Sequence, residues 1–130
     1  SLDKKFIIME ETIVFVETKE IKYIKSGLIV PKKLCNNSFI IAIKKELGVV
    51  SYIYFTVYTD YVHINYSFTS TPYRRLGYST ILRNYIIEFT KKNNIKMILS
   101  VPFEGANSVS ILKRIGFIKN EKDDSFVLLV

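Results

Sequence analysis

Apolar positions along the chain change their period, and the change marks out the elements. "SFIIAIKK", "GVVSYIYFTVY" and "YVHINYSFT" are runs rich in β-branched and aromatic residues, as strands are. Gly48 separates the first two, and Thr59 and Asp60 break the second from the third. Connections this short predict antiparallel neighbours, a meander over roughly residues 39–45, 48–58 and 61–69. From Tyr78 the period becomes helical: apolar residues at 78, 81, 82, 85, 86 and 89 form one stripe, and Lys91 and Lys92 suit the C-terminal end of the dipole. "IKMILSV" reads as a buried strand. "NSVSILKRI" reads as a short helix with Val109, Leu112 and Ile115 on one face, stopped by Gly116. "FIKNE" and "SFVLLV" close the chain as a hairpin around Lys122, Asp123 and Asp124. Ahead of the meander, "KKFIIMEETIVFVETKE" suits a hairpin around Glu10 and Glu11, and Gly27 and Pro31 break the segment after it. The order predicts a mixed α/β (α+β) domain with no long helix in its first third.

Composition narrows the class. With 130 residues, 48% hydrophobic and 14% aromatic, the chain suits one globular domain over 1–130, without repeat or linker. No apolar run approaches the ~20 residues of a membrane span, and the N-terminus lacks the shape of a signal peptide. With Cys35 as the single cysteine there is no disulfide framework, and a soluble, reducing, cytoplasmic setting is expected. One His besides leaves too few ligands for a Cys/His metal site, so no metal is expected. The net charge of +7 favours anionic partners. Its lysines, however, are spread from Lys4 to Lys122, which argues for a solvated surface over a nucleic-acid footprint.

The stretch "TPYRRLGYSTILRNYIIEF", residues 71–89, carries the candidate chemistry. A strand, a loop and a helix opening near Gly77 leave unpaired amides at the positive end of a helix dipole, an arrangement suited to phosphate. Gly77 permits unusual dihedrals and close approach of a ligand, and Arg74 and Arg75 add charge. An ordinary strand-to-helix turn with a solvated arginine pair would show the same spacing.

In context the motif says more. "RRLGYS" resembles the pyrophosphate-binding signature Gln/Arg-x-x-Gly-x-Gly/Ala of the GNAT superfamily of N-acetyltransferases, and it lies between a fourth strand and the following helix. "NSVSILKRIGF" is similar to that family's closing helix. The resemblance covers residues 39–130; residues 1–38 read as a shortened, divergent N-terminal part. It implies a mostly antiparallel sheet with flanking helices, in which "YVHINYSFT" and "IKMILSV" form a parallel pair splayed apart to admit acetyl-CoA. It further implies that the backbone of Phe68 and Thr69 pairs with the pantetheine arm. The amides of Arg75, Leu76, Gly77, Tyr78, Ser79 and Thr80 would cradle the pyrophosphate, with Arg74 adding charge beside them, and Asn107 would flank the arm. There are departures. Ser79 stands where Gly or Ala is usual, Leu112 where a general-acid Tyr often stands, and the fourth strand has no Glu.

The acid–base candidates are accordingly indirect. Glu104 lies at the predicted cleft mouth, where a charge at a helix N-terminus is the alternative role. His63 is the one residue of its type, on a strand, where a structural role is the alternative. Tyr66, Tyr73 and Tyr78 are possible proton donors in a tyrosine-rich chain, and Cys35 reads as a small apolar residue. Two functions follow. One is acetyl transfer from acetyl-CoA to the amine of a small molecule or protein; the other is a catalytically degenerate member kept as a binding or structural module. The acceptor and the oligomeric state are not legible.

Overall fold

A computed structural model describes residues 12–21, 30–46, 48–102 and 108–130. Its strands are β1 (Ile13–Phe15), β2 (Ser38–Lys45), β3 (Gly48–Val57), β4 (Val62–Thr69), β5 (Met97–Ser100), β6 (Ile118–Lys119) and β7 (Phe126–Leu129). The helices are α1 (Tyr78–Lys92) and α2 (Ser108–Ile115), with 3-10 turns at Thr18–Glu20 and Thr71–Tyr73. The described strands form one sheet in the order β1-β2-β3-β4-β5-β7-β6. Every neighbouring pair is antiparallel except β4 and β5, which are parallel. The expected meander, long helix, short helix and closing hairpin are all present.

Alternation along the strands divides the core between two faces. Ile41, Ile43, Ile53, Phe55, Val62 and Ile64 pack against α1 and α2, meeting Leu82, Ile86 and Leu112. On the other face Ile40, Ala42, Val49 and Tyr52 are covered by Val16, Ile21 and Val30 from the N-terminal part. Burying each such aliphatic side chain contributes about 1.5–3 kcal/mol. Leu82 and Ile86 are wholly buried, and Ile81, Tyr85 and Phe89 pack on the same cluster, as the helical stripe predicts. Gly116, at φ +117°, ends α2 as expected, with the amide of Phe117 donating back to the Leu112 carbonyl at 2.9 Å.

The N-terminal part belongs to the same sheet, since Ile13 lies opposite Ile43. A 3-10 turn follows β1, and Lys44 Nζ clips it to β2 by a 2.6 Å ion pair with Glu20 Oε1. The first arm of the hairpin expected around Glu10 and Glu11 lies outside the described residues, as does Gly27. Cys35 is a free thiol, exposed in the loop before β2.

Register slips once between β3 and β4. Tyr54 lies opposite Tyr66 and Phe55 opposite Ile64, so Asn65 is the extra residue of a β-bulge. Below it Val62 and Ile64 face α1; above it Tyr66 and Phe68 pack with the opposite cluster.

Candidate active site

β4 and β5 run together for only a short distance: Val62, His63 and Ile64 lie opposite Ile98, Leu99 and Ser100. The strand β5 ends there, and Pro102, lacking an amide proton, offers no donor to continue the ladder. From Asn65 onward β4 is paired with β3 on one side and with no described strand on the other. The bulge sits where the two strands part, bending β4 away. A cleft of about 1040 Å³ opens between them. It is lined along β4 by Asn65 to Thr69, at one end by Arg74, Arg75 and Gly77 to Thr80, and opposite by Ser100, Ser108, Ile111 and Arg114.

The turn at the cleft's end presents backbone donors and positive charge to the space beside it. Gly77 caps α1 at φ +85°, and a Cβ placed on it would meet nothing within 4 Å, so this backbone faces open space. Arg75 is also left-handed, at φ +64°, which is uncommon for a residue with a Cβ. The first bond into α1 runs from the Ile81 amide to the Gly77 carbonyl at 3.0 Å. The amides of Tyr78, Ser79 and Thr80 therefore have no partner within the helix, at its positive end. Arg74 ties the turn to β4, its Nε donating to the Thr69 carbonyl at 2.9 Å. A long ligand fits this shape if it has an extended amide arm to lie along β4 and phosphates for the turn.

The acetyltransferase (GNAT) family model matches residues 10–117. The chain belongs to the GNAT family. That match begins well ahead of residue 39, in keeping with β1 lying in the common sheet. Solved structures agree on the fold. The ribosomal-protein-S18-alanine N-acetyltransferase from Escherichia coli superposes with a TM-score of 0.71 at 12% identity, covering 93% of each chain. The IAA acetyltransferase from Bacillus cereus gives 0.75 at 9% identity, covering 93% of this chain and 100% of that one. The paia N-acetyltransferase from Thermoplasma acidophilum, solved in complex with coenzyme A, gives 0.62 at 12% identity over 70% of this chain and 58% of that one. No curated protein matches in sequence.

Within this GNAT fold, most of the residues singled out from sequence come together. Phe68, Thr69, Arg74, Arg75, Gly77, Tyr78, Ser79 and Thr80 line one cleft. Leu76 is not in its wall; its side chain is exposed. Glu104 and Asn107 lie outside the described residues. Leu112 is wholly buried in the core, so position 112 offers no proton donor. Tyr73 and Tyr78 stack in the cleft wall, their ring centroids 6.3 Å apart.

His63 does not line the cleft, but its partner does. Its Nδ1 lies 2.6 Å from Asn65 Oδ1, and Asn65 Nδ2 donates to Thr56 Oγ1 at 2.7 Å. Thr56 in turn shares a 3.1 Å hydrogen bond with Ser38. An amide oxygen only accepts, so Nδ1 carries the proton and Nε2 of the neutral ring is left with its lone pair. His63 falls between Val62 and Ile64, which face α1, and so points to the opposite face of the sheet. On that face burial, and after it the neighbouring Tyr66, push the Tyr52 phenol above its ordinary value, so it keeps its proton at neutral pH.

One cleft residue was not foreseen. Arg83, in the second turn of α1, is only 2% exposed. Its guanidinium donates to Ser79 Oγ and, at 3.0 Å, to Ser67 Oγ, while Nε has no partner among the described residues. Desolvation lowers its pKa to about 10, so the group is still a cation at neutral pH.

Proposed function

We propose that the chain is an acetyl-CoA-dependent N-acetyltransferase acting on a primary amine of a small molecule or protein. The observation that carries this reading is that β4, beyond its last described pairing with β5 at Ile64, runs on along the cleft to the left-handed turn at Gly77. On this reading the backbone of Phe68 and Thr69 pairs with the pantetheine arm as an added strand would. Amides from Arg75 to Thr80 hold the pyrophosphate, with Arg74 and Arg75 supplying charge. Asn107, just ahead of α2, flanks the arm. When bound, the coenzyme supplies an activated acetyl thioester.

The chain's own contribution is orientation and a proton acceptor. The bulge at Asn65 leaves backbone polar groups out of the ladder beside the gap, where an amide can polarise a carbonyl. His63, with Nδ1 held by Asn65, offers Nε2 on the face opposite α1. There it accepts the proton that an amine loses on attack. Glu104 is the second candidate for this role.

Thermal denaturation with and without acetyl-CoA tests the binding step. A ligand at 100 times its dissociation constant adds ~2.7 kcal/mol, which reads as a clear rise in Tm. Release of free thiol in the presence of an amine and peptide panel then tests turnover. Absence of a ligand-dependent shift overturns the reading. Tight binding without transfer to any amine assigns the chain instead to a non-catalytic binding module, a role for which the buried Leu112 and the absence of Glu from β4 speak.

A further inference from the structure

A buried arginine normally has a carboxylate beside it, because an unpaired charge away from water is costly. Arg83 has none: among the described residues the ion pairs are Lys44–Glu20 and Lys91–Glu88. It instead sits behind two serines that line the cleft, Ser79 from the first turn of α1 and Ser67 from β4. Each hydroxyl accepts from the guanidinium, and among the described residues neither donates elsewhere. Each therefore keeps a proton to give, and the cation behind it strengthens that donor. The guanidinium reaches back one turn along α1, as long helical side chains do, and so lies near the helix's positive end. A whole charge, a helix terminus and a pair of hydroxyls converge there.

We propose that Arg83 is a positioning residue whose charge is left open for the ligand, acting through the Ser67 and Ser79 hydroxyls on a bound diphosphate. This rests on the coenzyme A reading of the cleft. It adds that the diphosphate supplies the missing counter-ion of the core. Among the described residues no carboxylate compensates this buried cation, and in the complex the diphosphate does. Ligand affinity and unliganded stability are consequently set against each other at one side chain.

The test is titration calorimetry of acetyl-CoA and of inorganic pyrophosphate against wild type, Arg83→Met and Arg83→Lys, with Tm measured for each unliganded protein. Arg83→Met should bind acetyl-CoA roughly ten- to a hundredfold more weakly, the range for a hydrogen bond to a charged group. It should lose saturable pyrophosphate binding, yet melt no lower than wild type without ligand. Arg83→Lys should recover part of both affinities. A purely structural Arg83 would instead give a lower Tm and unchanged affinity, and wild-type affinity in Arg83→Met overturns the proposal while leaving the coenzyme reading standing. Pyrophosphate binding that depends on Arg83, in a wild type that ignores acetyl-CoA, rejects the coenzyme reading and supports the diphosphate site. Binding of neither ligand by wild type overturns both. Should Arg83→Met not fold, Ser67→Ala/Ser79→Ala removes the hydroxyls and keeps the charge, and wild-type affinity in that variant is equally fatal.

Discussion

His63 and Asn65 are two residues apart on β4, and the ring nitrogen Nδ1 of the first lies 2.6 Å from the amide oxygen of the second. The Asn65 amide continues to Thr56 on the face away from the helices, and the residue itself borders the cleft where β4 leaves β5. His63→Ala should lower kcat by ~10²–10⁴-fold, the usual contribution of a positioned general base, with acetyl-CoA affinity little changed. Asn65→Ala should lower kcat as well. Because the two act as a unit, the double variant should be no slower than His63→Ala alone. Multiplying losses in steady-state kinetics would show that Asn65 does not act through the ring.

Gly77→Val should abolish acetyl-CoA binding. The side chain itself would meet no atom within 4 Å, so the damage comes from the backbone and from filling space a ligand needs. Holding a β-branched residue at φ +85° costs about 1–2 kcal/mol, which leaves the fold intact. Calorimetry alongside a melting curve separates the two effects. Unchanged affinity would mean that the turn is not where the coenzyme sits.

Leu82→Ala should destabilise by ~2–5 kcal/mol, since Leu82 is wholly buried between α1 and the sheet. Chemical denaturation measures this directly. A loss within ~0.5 kcal/mol would be incompatible with a packed residue at that position.

The clip between Glu20 and Lys44 should depend on pH in a defined sense. The Lys44 ammonium, and after it the Glu17 amide, hold the Glu20 carboxyl below its ordinary value of 4.5. A depressed folded pKa stabilises above the unfolded value, and the contribution disappears as pH falls through the folded one. Both groups are largely solvated, so a double-mutant cycle with Glu20→Gln and Lys44→Met should give under ~1 kcal/mol at pH 7. At pH 2 it should give nothing. Coupling that survives acid would point to packing between the two side chains.

The elements of this fold were legible because their periods are clean, from the aromatic alternation of β3 to the stripe of Leu82, Ile86 and Phe89. The turn was legible because Gly77 and the arginines before it have few other uses in that position. Arg83 was not, since a helical wheel places it beside the stripe without showing what the sheet leaves open opposite. Ser67 and Ser79 make that room. Ser79 precedes Arg83 by one helical turn and stands where the family usually has Gly or Ala, a hint that a small polar group was wanted there. The bulge was hidden too, because β4 alternates cleanly in sequence, with Val62, Ile64, Tyr66 and Phe68 in one register, and only cross-strand pairing reveals which residue is extra. The ring bond of His63 depends on Asn65 and was invisible for the same reason.

Removing Asn65 would leave every other side chain of β4 on its present face: Val62, Ile64 and Ser67 toward α1, and His63, Tyr66 and Phe68 away from it. The shortened strand would alternate without interruption and lie straighter against its neighbours, able to extend its pairing toward β5 and shut the gap. Nothing in the hydrophobic core would object. The cleft thus depends on one surplus residue as well as on where β5 stops, and its loss should spare the hydrophobic core: a chain one codon shorter should express, melt cooperatively and bind coenzyme poorly.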